Sequence, residues 1–221
     1  MSVNVLELFA GSRSIGAEAE KQGCRVFSSD ITPYEGIDYP IDINMFNVEV
    51  VPFIPDVIWA SPPCTYFSVA SIGKHWHADH TPKSENALRG VEFVSSTLSI
   101  IEHFLGENPS LKWFMENPRG KLRKLSVVSE LERITVWYCK YASLQATSIQ
   151  AKPTDIWSNN IRSIFNPDGW QPRPQCKNGN THCPHEEAPR GSRTGIQGVK
   201  GNYLRSKIPN ELCREIILSC L

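Results

Sequence analysis

Short apolar runs and amphipathic stretches follow one another along this chain in the order expected of an α/β protein. Residues 56–60 and 112–115 form short apolar runs that are typical of buried strands. Residues 3–8 alternate and end in an apolar pair, and residues 23–30 end in an acid; both stretches predict strands as well. Over residues 84–105 the apolar side chains recur every three or four positions, which predicts an amphipathic helix packed on a sheet. Strands that alternate with helices assemble into a largely parallel sheet covered on both faces, so we expect a doubly wound α/β fold.

The pattern changes toward the C-terminus. Residues 134–139 and 154–157 predict two further strands. Beyond residue 159 the chain holds prolines among glycines and basic residues, and no periodicity returns until a closing helix is predicted over 208–217. The fold is therefore expected to carry a minimal, irregular insertion near its C-terminus.

Composition is that of a soluble globular protein with one domain. The 221 residues are 40% hydrophobic and 21% charged. No apolar run approaches the roughly 20 residues that span a bilayer, and the N-terminus lacks the basic and apolar regions of a signal peptide. Seven cysteines, an odd number without a framework spacing, suit a reducing compartment. We expect a cytoplasmic protein with no membrane contact and no obligate protein partner.

The net charge of zero hides two halves of opposite sign. Residues 1–118 hold 7 Lys and Arg against 15 Asp and Glu, whereas residues 119–221 hold 16 against 8. A basic half of this kind favours contact with phosphates, although solvated surface charge alone gives the same count.

Chemically reactive residues follow the ends of two predicted strands. Pro62 and Pro63 stop the strand at 56–60 and present Cys64 just beyond it, while Glu116 and Asn117 follow the strand at 112–115. Carboxyl ends of parallel strands share one edge of a sheet, where ligands bind, so these groups should converge on one cleft. A thiol there is a candidate nucleophile; the alternative is an ordinary buried cysteine.

The first predicted strand leads into a glycine turn. Gly11 lets backbone N–H groups approach a ligand, and Ser12 or Ser14 is the expected cap of a helix that runs to about residue 22. The spacing fits neither the phosphate-binding P-loop nor the dinucleotide fingerprint, because Arg13 stands where the latter needs glycine. Asp30, at the end of the second predicted strand, is a candidate ligand for ribose hydroxyls.

Four stretches, taken together and in order, resemble the motifs of the cytosine-C5 methyltransferases. They are residues 7–16, 60–68, 115–118 and 150–154, and residues 201–217 look like the family's closing motif. The Glu-Asn-Pro and Lys-Pro-Thr sequences are most similar to those of short bacteriophage and prophage members. The resemblance implies a Rossmann-like fold that uses S-adenosylmethionine, with residues 1–159 as the cofactor-binding catalytic domain, 160–200 as a reduced target-recognition insertion and 201–221 as a segment returning to the catalytic domain.

The resemblance also implies roles for individual residues. Cys64 would add to C6 of a flipped cytosine, Glu116 would assist at N3, and Asn117 would orient Glu116 or hold the exocyclic amine. Lys152 stands near an expected arginine, and Asp42 where an acid meets the adenine amino group. Together with Asp30, the cofactor contacts expected on this basis are Phe9, Ala10, Gly11, Ser12, Ser14, Ile15, Ile31, Asp42, Ile43, Ser61, Pro62 and Asn202.

The leading function on this basis is methylation of cytosine in DNA, the expected partner. The alternatives are methylation of cytosine in RNA such as tRNA, transfer of a variant group, or a catalytically weak protein that binds nucleic acid and cofactor. Only about 40 irregular residues stand where sequence-specific members carry a sizeable recognition region, so the target sequence stays open. The candidate nucleic-acid contacts are Ser68, Arg190, Arg193, Lys200, Arg205 and Lys207.

A metal site is the minor alternative for the irregular segment. Cys176, His182, Cys183 and His185 are all zinc-ligand types within ten residues, in a stretch without apolar residues to form a core. The adjacent pair His182 and Cys183 is awkward for tetrahedral closure, and the spacing matches no standard zinc finger. An ordinary polar loop without metal is the favoured interpretation.

Overall fold

The computed structural model describes residues 2–143, 149–177, 180–185 and 206–221. These residues form a seven-stranded sheet and four α-helices, together with several 3₁₀ turns. The strands are β1 Asn4–Leu8, β2 Arg25–Asp30, β3 Tyr39–Pro40, β4 Val57–Ala60, β5 Lys112–Pro118, β6 Arg133–Trp137 and β7 Pro153–Ser158. The helices are α1 Ser14–Lys21, α2 Ile72–His75, α3 Glu85–Glu107 and α4 Asn210–Leu218.

The strand order places a topological switch point in the middle of the sheet. The order is β3-β2-β1-β4-β5-β7-β6; the first five strands of the chain are parallel, and β7 enters antiparallel between β5 and β6. From β1 the chain proceeds outward to β2 and β3, and then returns to place β4 on the other side of β1. In open α/β sheets, ligands bind outside the strand ends where the order reverses in this way. The predicted doubly wound α/β fold is confirmed.

Both faces of the sheet are buried, which explains the continuous apolar runs. Adjacent residues of a strand point to opposite faces. Leu6 and Ile58 therefore pack in the core beneath α3, whereas Val5 and Val57 pack in a second core with α1 and α4. Parallel sheets covered on both faces read as near-continuous hydrophobic sequences for this reason. Among the described residues, no helix has both the length and the apolar character that crossing a bilayer demands.

Three local predictions were wrong. The α1 helix begins after Arg13, whose φ of 51° is left-handed, and neither Ser12 nor Ser14 caps it. Glu116 and Asn117 lie inside β5, because pairing with the antiparallel β7 extends that strand to residue 118. The polar, glycine-containing sequence of residues 65–83 predicts a loop without structure of its own, but this stretch contains α2 and 3₁₀ turns.

The region after β7 is irregular in the part that the structure describes, as its prolines and glycines predict. Over 160–177 and 180–185 there is no helix or strand, and an isolated bridge joins Ile161 to Trp170. Trp170 is buried and packs edge-on against Phe114 of β5, at a ring distance of 6.2 Å. The side chain of Trp170 thus packs this stretch against the second core.

Candidate active site

The loops that follow β1 and β4 lie side by side at the switch point. The backbone N–H of Ser61 donates to Leu8 O at 3.3 Å, which joins the two strand ends. Beyond Leu8 the backbone turns sharply, with positive φ at Phe9 (55°) and Gly11 (49°). Positive φ is readily adopted by glycine and costs other residues, so the conformation of this loop depends on Gly11.

Asp30 holds the glycine loop in place from the end of β2. Its carboxylate accepts the backbone N–H of Gly11 at 2.9 Å through one oxygen and that of Thr32 at 2.9 Å through the other. The carboxylate is only half-buried and stands beside Ile31, whose side chain is 61% exposed. An acid next to an uncovered apolar side chain, at the carboxyl edge of the sheet, suits a ribose and an adenine ring.

Other predicted cofactor residues are placed less favourably for direct contact. Asp42 caps a 3₁₀ turn by accepting Asn44 N–H at 3.0 Å and pairs with Arg89 of α3 at 3.2 Å. Ile15 is fully buried in the second core. Ser14 accepts the backbone N–H of Ile208 at 3.3 Å, which brings the C-terminal segment back to the glycine loop.

A buried carboxyl group beneath the glycine loop was missed by sequence reasoning. Glu7 of β1 accepts the N–H of Ile15 at 3.1 Å and the hydroxyl of Ser28 at 3.3 Å, so it stabilises the first turn of α1 from below. Burial raises the pKa of Glu7 to about 7, against the lowering effect of its hydrogen bonds to Gly16 and Ile15 and the charge of Arg13. The signal in the sequence was an acid inside an otherwise apolar strand.

A side-chain hydrogen bond connects the two predicted catalytic stretches. Cys64 begins a 3₁₀ turn directly after Pro63, and it is partly accessible. Asn117 Nδ2 donates to Pro62 O at 2.9 Å, which ties β5 to the turn that presents Cys64. Asn117 is fully buried, and its Oδ1 has no hydrogen-bond partner among the described residues. Since an unmade hydrogen bond at a buried acceptor is costly, Oδ1 is a ready acceptor for a donor group of a ligand.

Glu116 is buried next to Asn117 in a pocket that favours its protonated form. Burial raises its pKa, while the charge of Lys152 and the hydrogen bond from Tyr138 oppose that rise. The hydroxyl of Tyr138 donates to Glu116 Oε1 at 3.0 Å, and its own pKa is raised well above the usual value by burial and by Glu116. Tyr138 therefore remains a hydrogen-bond donor at neutral pH.

Lys152 lies on the same side of the sheet, in an unusual backbone conformation. Its φ is 22°, its side chain is buried, and Nζ lies 4.4 Å from the centre of the Tyr138 ring. The Tyr138 N–H points to Lys152 O at 3.4 Å, so the start of β7 is joined to the end of β6. A buried ammonium group here stabilises negative charge around Glu116.

The segment after Cys64 is anchored by buried aromatic residues, which is why it has structure. Trp76 is buried, stacks on Phe67 at a ring distance of 5.9 Å and donates from Nε1 to Tyr66 O at 2.7 Å. The backbone of Phe67 accepts Lys121 N–H at 2.7 Å, and a Cβ atom at Gly120 would lie 2.3 Å from that same oxygen. Glycine is therefore required for this close approach.

A groove lined by basic residues lies next to the contact between Phe67 and Lys121, and it was not predicted from the sequence. The groove has a volume of about 580 Å³ and lies between the α2 segment and the loop after β5. Arg119 and Lys124 are exposed at its wall, and Lys121 approaches the Trp76 ring with Nζ 5.5 Å from the centroid. Four basic residues within positions 119–124 were a signal for phosphate contact that could have been used.

Most of the predicted nucleic-acid contacts fall outside the described residues. This holds for Arg190, Arg193, Lys200 and Arg205, and for the predicted cofactor contact Asn202. Lys207 is exposed on the approach to α4, and the half-buried Ser68 shares a hydrogen bond with Ser71 at 3.0 Å between their hydroxyls.

Comparison with known proteins gives a match over the whole chain. The chain is 26% identical over 236 residues to the "Probable DNA (cytosine-5)-methyltransferase" of Frog virus 3 (isolate Goorha), covering 99% of this chain and 100% of the relative. The chain is therefore similar along its whole length to a viral protein that is described as a probable cytosine-C5 methyltransferase. No protein-family model matches it.

Two solved structures resemble this chain in part. The S. pombe Dnmt2 methyltransferase has a TM-score of 0.49 at 11% identity, and a Spodoptera frugiperda DNMT2 mutant has 0.45 at 14%. Each comparison covers 74% of this chain, which spans 51% of the first structure and 52% of the second.

Proposed function

We propose that this chain transfers a methyl group from S-adenosylmethionine to carbon 5 of cytosine in DNA. The hydrogen bond of 2.9 Å from Asn117 Nδ2 to Pro62 O carries the proposal. It holds an accessible thiol, Cys64, beside the strand that contains the buried carboxyl of Glu116. Two groups suited to nucleophilic and acid catalysis thus share the switch point of an α/β sheet.

Cys64 is the proposed nucleophile. Carbon 5 of cytosine is a poor nucleophile while the ring is aromatic. Bond formation between Cys64 Sγ and C6 breaks the C5=C6 double bond and makes C5 enamine-like, so that it can attack an electrophilic methyl group. When the C5 proton is then removed, the electrons of that C–H bond restore the double bond and Cys64 leaves as thiolate.

Glu116 is the proposed acid at N3. Electron density moves onto the ring as Cys64 adds, and a proton or hydrogen bond at N3 stabilises it. Burial raises the pKa of Glu116, which keeps its proton available nearer to neutral pH. The unpartnered Asn117 Oδ1 suits the exocyclic amine of the same base, because that amine is a hydrogen-bond donor.

The glycine loop and its neighbours are the proposed cofactor site. Phe9, Gly11 and Asp30 would hold the cofactor on one side of the switch point, with Ser61 and Pro62 on the other. Two features support this assignment of the cofactor site. The half-buried carboxylate of Asp30 lies beside the exposed Ile31, and the positive φ values of the loop allow its backbone to come close to a ligand. S-adenosylmethionine supplies a methyl group on a positively charged sulfur, which a carbon nucleophile can attack.

DNA is the proposed substrate for two reasons. The Frog virus 3 relative, which matches along the whole chain, is described as a probable DNA methyltransferase. The basic groove along Arg119 and Lys124 offers phosphate contacts next to the segment that follows the Cys64 turn. Because C5 is inaccessible inside a duplex, the base must be flipped out, which costs a few kcal/mol that phosphate contacts can offset.

Methylation and covalent trapping test the proposal directly. Full-length protein, S-adenosylmethionine and duplex DNA should produce 5-methylcytosine that bisulfite sequencing detects. DNA containing 5-fluorocytosine should form an adduct stable in SDS, because fluorine cannot leave as a proton does. Cys64→Ser should abolish both signals and leave S-adenosylhomocysteine affinity within a few-fold.

Cys220→Ser is the matched control, since it removes a half-buried thiol far along the chain, on the turn after α4. It should retain methylation and trapping. Full activity of Cys64→Ser would overturn the assignment of the nucleophile. Methylation of tRNA with none of duplex or single-stranded DNA would keep the chemistry and overturn DNA as the substrate.

A further inference from the structure

Three cysteines and a histidine from distant parts of the chain meet beside the candidate active site. Cys139 comes from the 3₁₀ turn after β6, whereas Cys176, Cys183 and His185 come from the irregular segment after β7. All four side chains are buried, and the four candidate ligand atoms lie within 4.8 Å of one another. Among the described residues, these four bring sulfur and nitrogen atoms close enough together to bind one metal ion.

The spacing of these atoms agrees with a tetrahedral zinc site. Zn–S bonds of about 2.3 Å and Zn–N bonds of about 2.0–2.1 Å place neighbouring sulfurs about 3.8 Å apart and sulfur about 3.6 Å from nitrogen. Cys176 Sγ lies 3.8 Å from His185 Nδ1. A small contraction of the group around an ion would therefore complete the coordination.

The fourth member of the group differs from the one the sequence suggested. His182 is exposed, and its backbone N–H donates to Asn180 Oδ1 at 3.1 Å. Cys139 takes its place, which removes the difficulty of two ligands at adjacent positions. Asn180 also points its Nδ2 at Cys176 Sγ, 3.6 Å away, as N–H groups commonly do toward a metal-bound thiolate.

The segment that supplies three of the four residues has no large apolar side chains, although Arg173 near its start forms ion pairs with Glu211 and Glu215. Residues 171–185 contain no Val, Ile, Leu, Met, Phe, Tyr or Trp. The cluster instead packs against Trp137 and Ile149, separately from the two cores of the sheet. A segment without a core of its own can be stabilised by a metal, because the free energy of metal binding contributes to folding.

We propose that Cys139, Cys176, Cys183 and His185 bind one structural zinc ion, which holds residues 180–185 and Cys176 to the turn after β6. Three thiolates and one imidazole fill all four positions of a tetrahedron, so the site is structural and leaves no position for a substrate. Its place also matters for the active site, because Tyr138, the hydrogen-bond donor to Glu116, directly precedes Cys139. The ion would thereby help to keep Tyr138 in position to donate its hydrogen bond to Glu116.

Metal analysis of the full-length protein tests the proposal. Protein expressed without a histidine tag in zinc-supplemented medium and purified without chelators should contain about one equivalent of zinc per chain by mass spectrometry. X-ray absorption should give three sulfur neighbours at about 2.3 Å and one nitrogen at about 2.0–2.1 Å. Cobalt exchanged into the wild-type protein should show thiolate charge-transfer and tetrahedral d–d absorption.

Variants separate the proposed ligands from their neighbours. Cys139→Ser and Cys183→Ser should each lose most of the zinc. His182→Ala is the matched control, because His182 adjoins Cys183 but lies outside the cluster, and it should keep a full equivalent. If the cysteine variants do not fold, the cobalt spectrum and the X-ray absorption of the wild type still decide the ligand set.

Three results would overturn the proposal. Wild-type zinc below about 0.2 equivalents would exclude a structural site. Loss of zinc in His182→Ala with retention in Cys139→Ser would show that the ligand set is wrong. The denatured protein should expose all seven thiols without a reductant, and fewer would mean that the cysteines form a disulfide instead.

Discussion

The buried carboxyl of Glu7 should make the stability of this protein fall as the pH rises. Burial raises the pKa of Glu7 in the folded protein from 4.5 to about 7. The folded state therefore binds the proton more tightly than the unfolded chain does. The resulting stabilisation is complete below about pH 4.5 and is lost as the pH rises through about 7.

The size of this loss follows from the shift. A change of about 2.5 pKa units, from 4.5 to about 7, corresponds to roughly 3 kcal/mol at about 1.4 kcal/mol per unit. Glu7→Gln removes the titrating group while keeping an amide oxygen that can accept from Ile15 N–H. The free energy of unfolding of Glu7→Gln, relative to wild type, should therefore increase by roughly 3 kcal/mol between about pH 4.5 and about pH 8.

Urea unfolding of both proteins across that pH range measures the difference. Glu102→Gln is the matched control, because it makes the same change at an exposed position of α3, and its pH dependence should parallel that of the wild type. If Glu7→Gln also parallels the wild type, the carboxyl titrates alike in folded and unfolded chains, and the argument from burial is refuted.

Asp30→Ala should weaken S-adenosylhomocysteine binding by about 1–3 kcal/mol in calorimetry, through loss of a polar partner and of the bond that holds the glycine loop. Tyr138→Phe removes a donor that lowers the pKa of Glu116, so that pKa should rise further. Since protonated Glu116 is the proposed active form, the high-pH decline of the single-turnover rate should move to higher pH. Arg119→Ala with Lys124→Ala should flatten the salt dependence of DNA binding, d log K/d log[salt], by roughly two units.

Each of these outcomes has a control. Asp42→Ala should cost less than about 1 kcal/mol in cofactor affinity, because Asp42 pairs with an exposed arginine. Tyr141→Phe removes another buried hydroxyl, bonded to Arg173 N–H, and should leave the pH profile unchanged. Arg214→Ala, exposed on α4, should leave the salt slope unchanged. The cofactor assignment of Asp30 would be contradicted if Asp30→Ala bound S-adenosylhomocysteine like the wild type. The role of Tyr138 would be contradicted if Tyr138→Phe moved the pH profile to lower pH. The phosphate contacts would be contradicted if the Arg119 and Lys124 double variant kept the wild-type salt slope.

Several features could be predicted from the sequence because they depend on local periodicity and chain order. The alternation of apolar runs with the amphipathic stretch at 84–105 was enough to predict strands, helix α3 and a doubly wound sheet. Pro62 and Pro63 likewise predicted a stop after β4 that presents Cys64, since proline restricts the backbone wherever it occurs.

Other features required the tertiary structure because they depend on contacts between residues far apart in the chain. Strand β7 pairs antiparallel between β5 and β6, and this pairing places Glu116 and Asn117 inside a strand. The bond from Asn117 to Pro62 spans 55 residues, and no local pattern specifies it. The pKa of Glu7 depends on burial beneath α1, which the strand pattern alone cannot quantify.

The zinc proposal shows the same division. The sequence alone placed Cys176, Cys183 and His185 close together, because they are neighbours along the chain. It offered His182 as the fourth ligand for the same local reason. Only the packing of Cys176, Cys183 and His185 against the turn after β6 brought Cys139 to the cluster, since that contact joins positions at least 37 residues apart and arises from the fold.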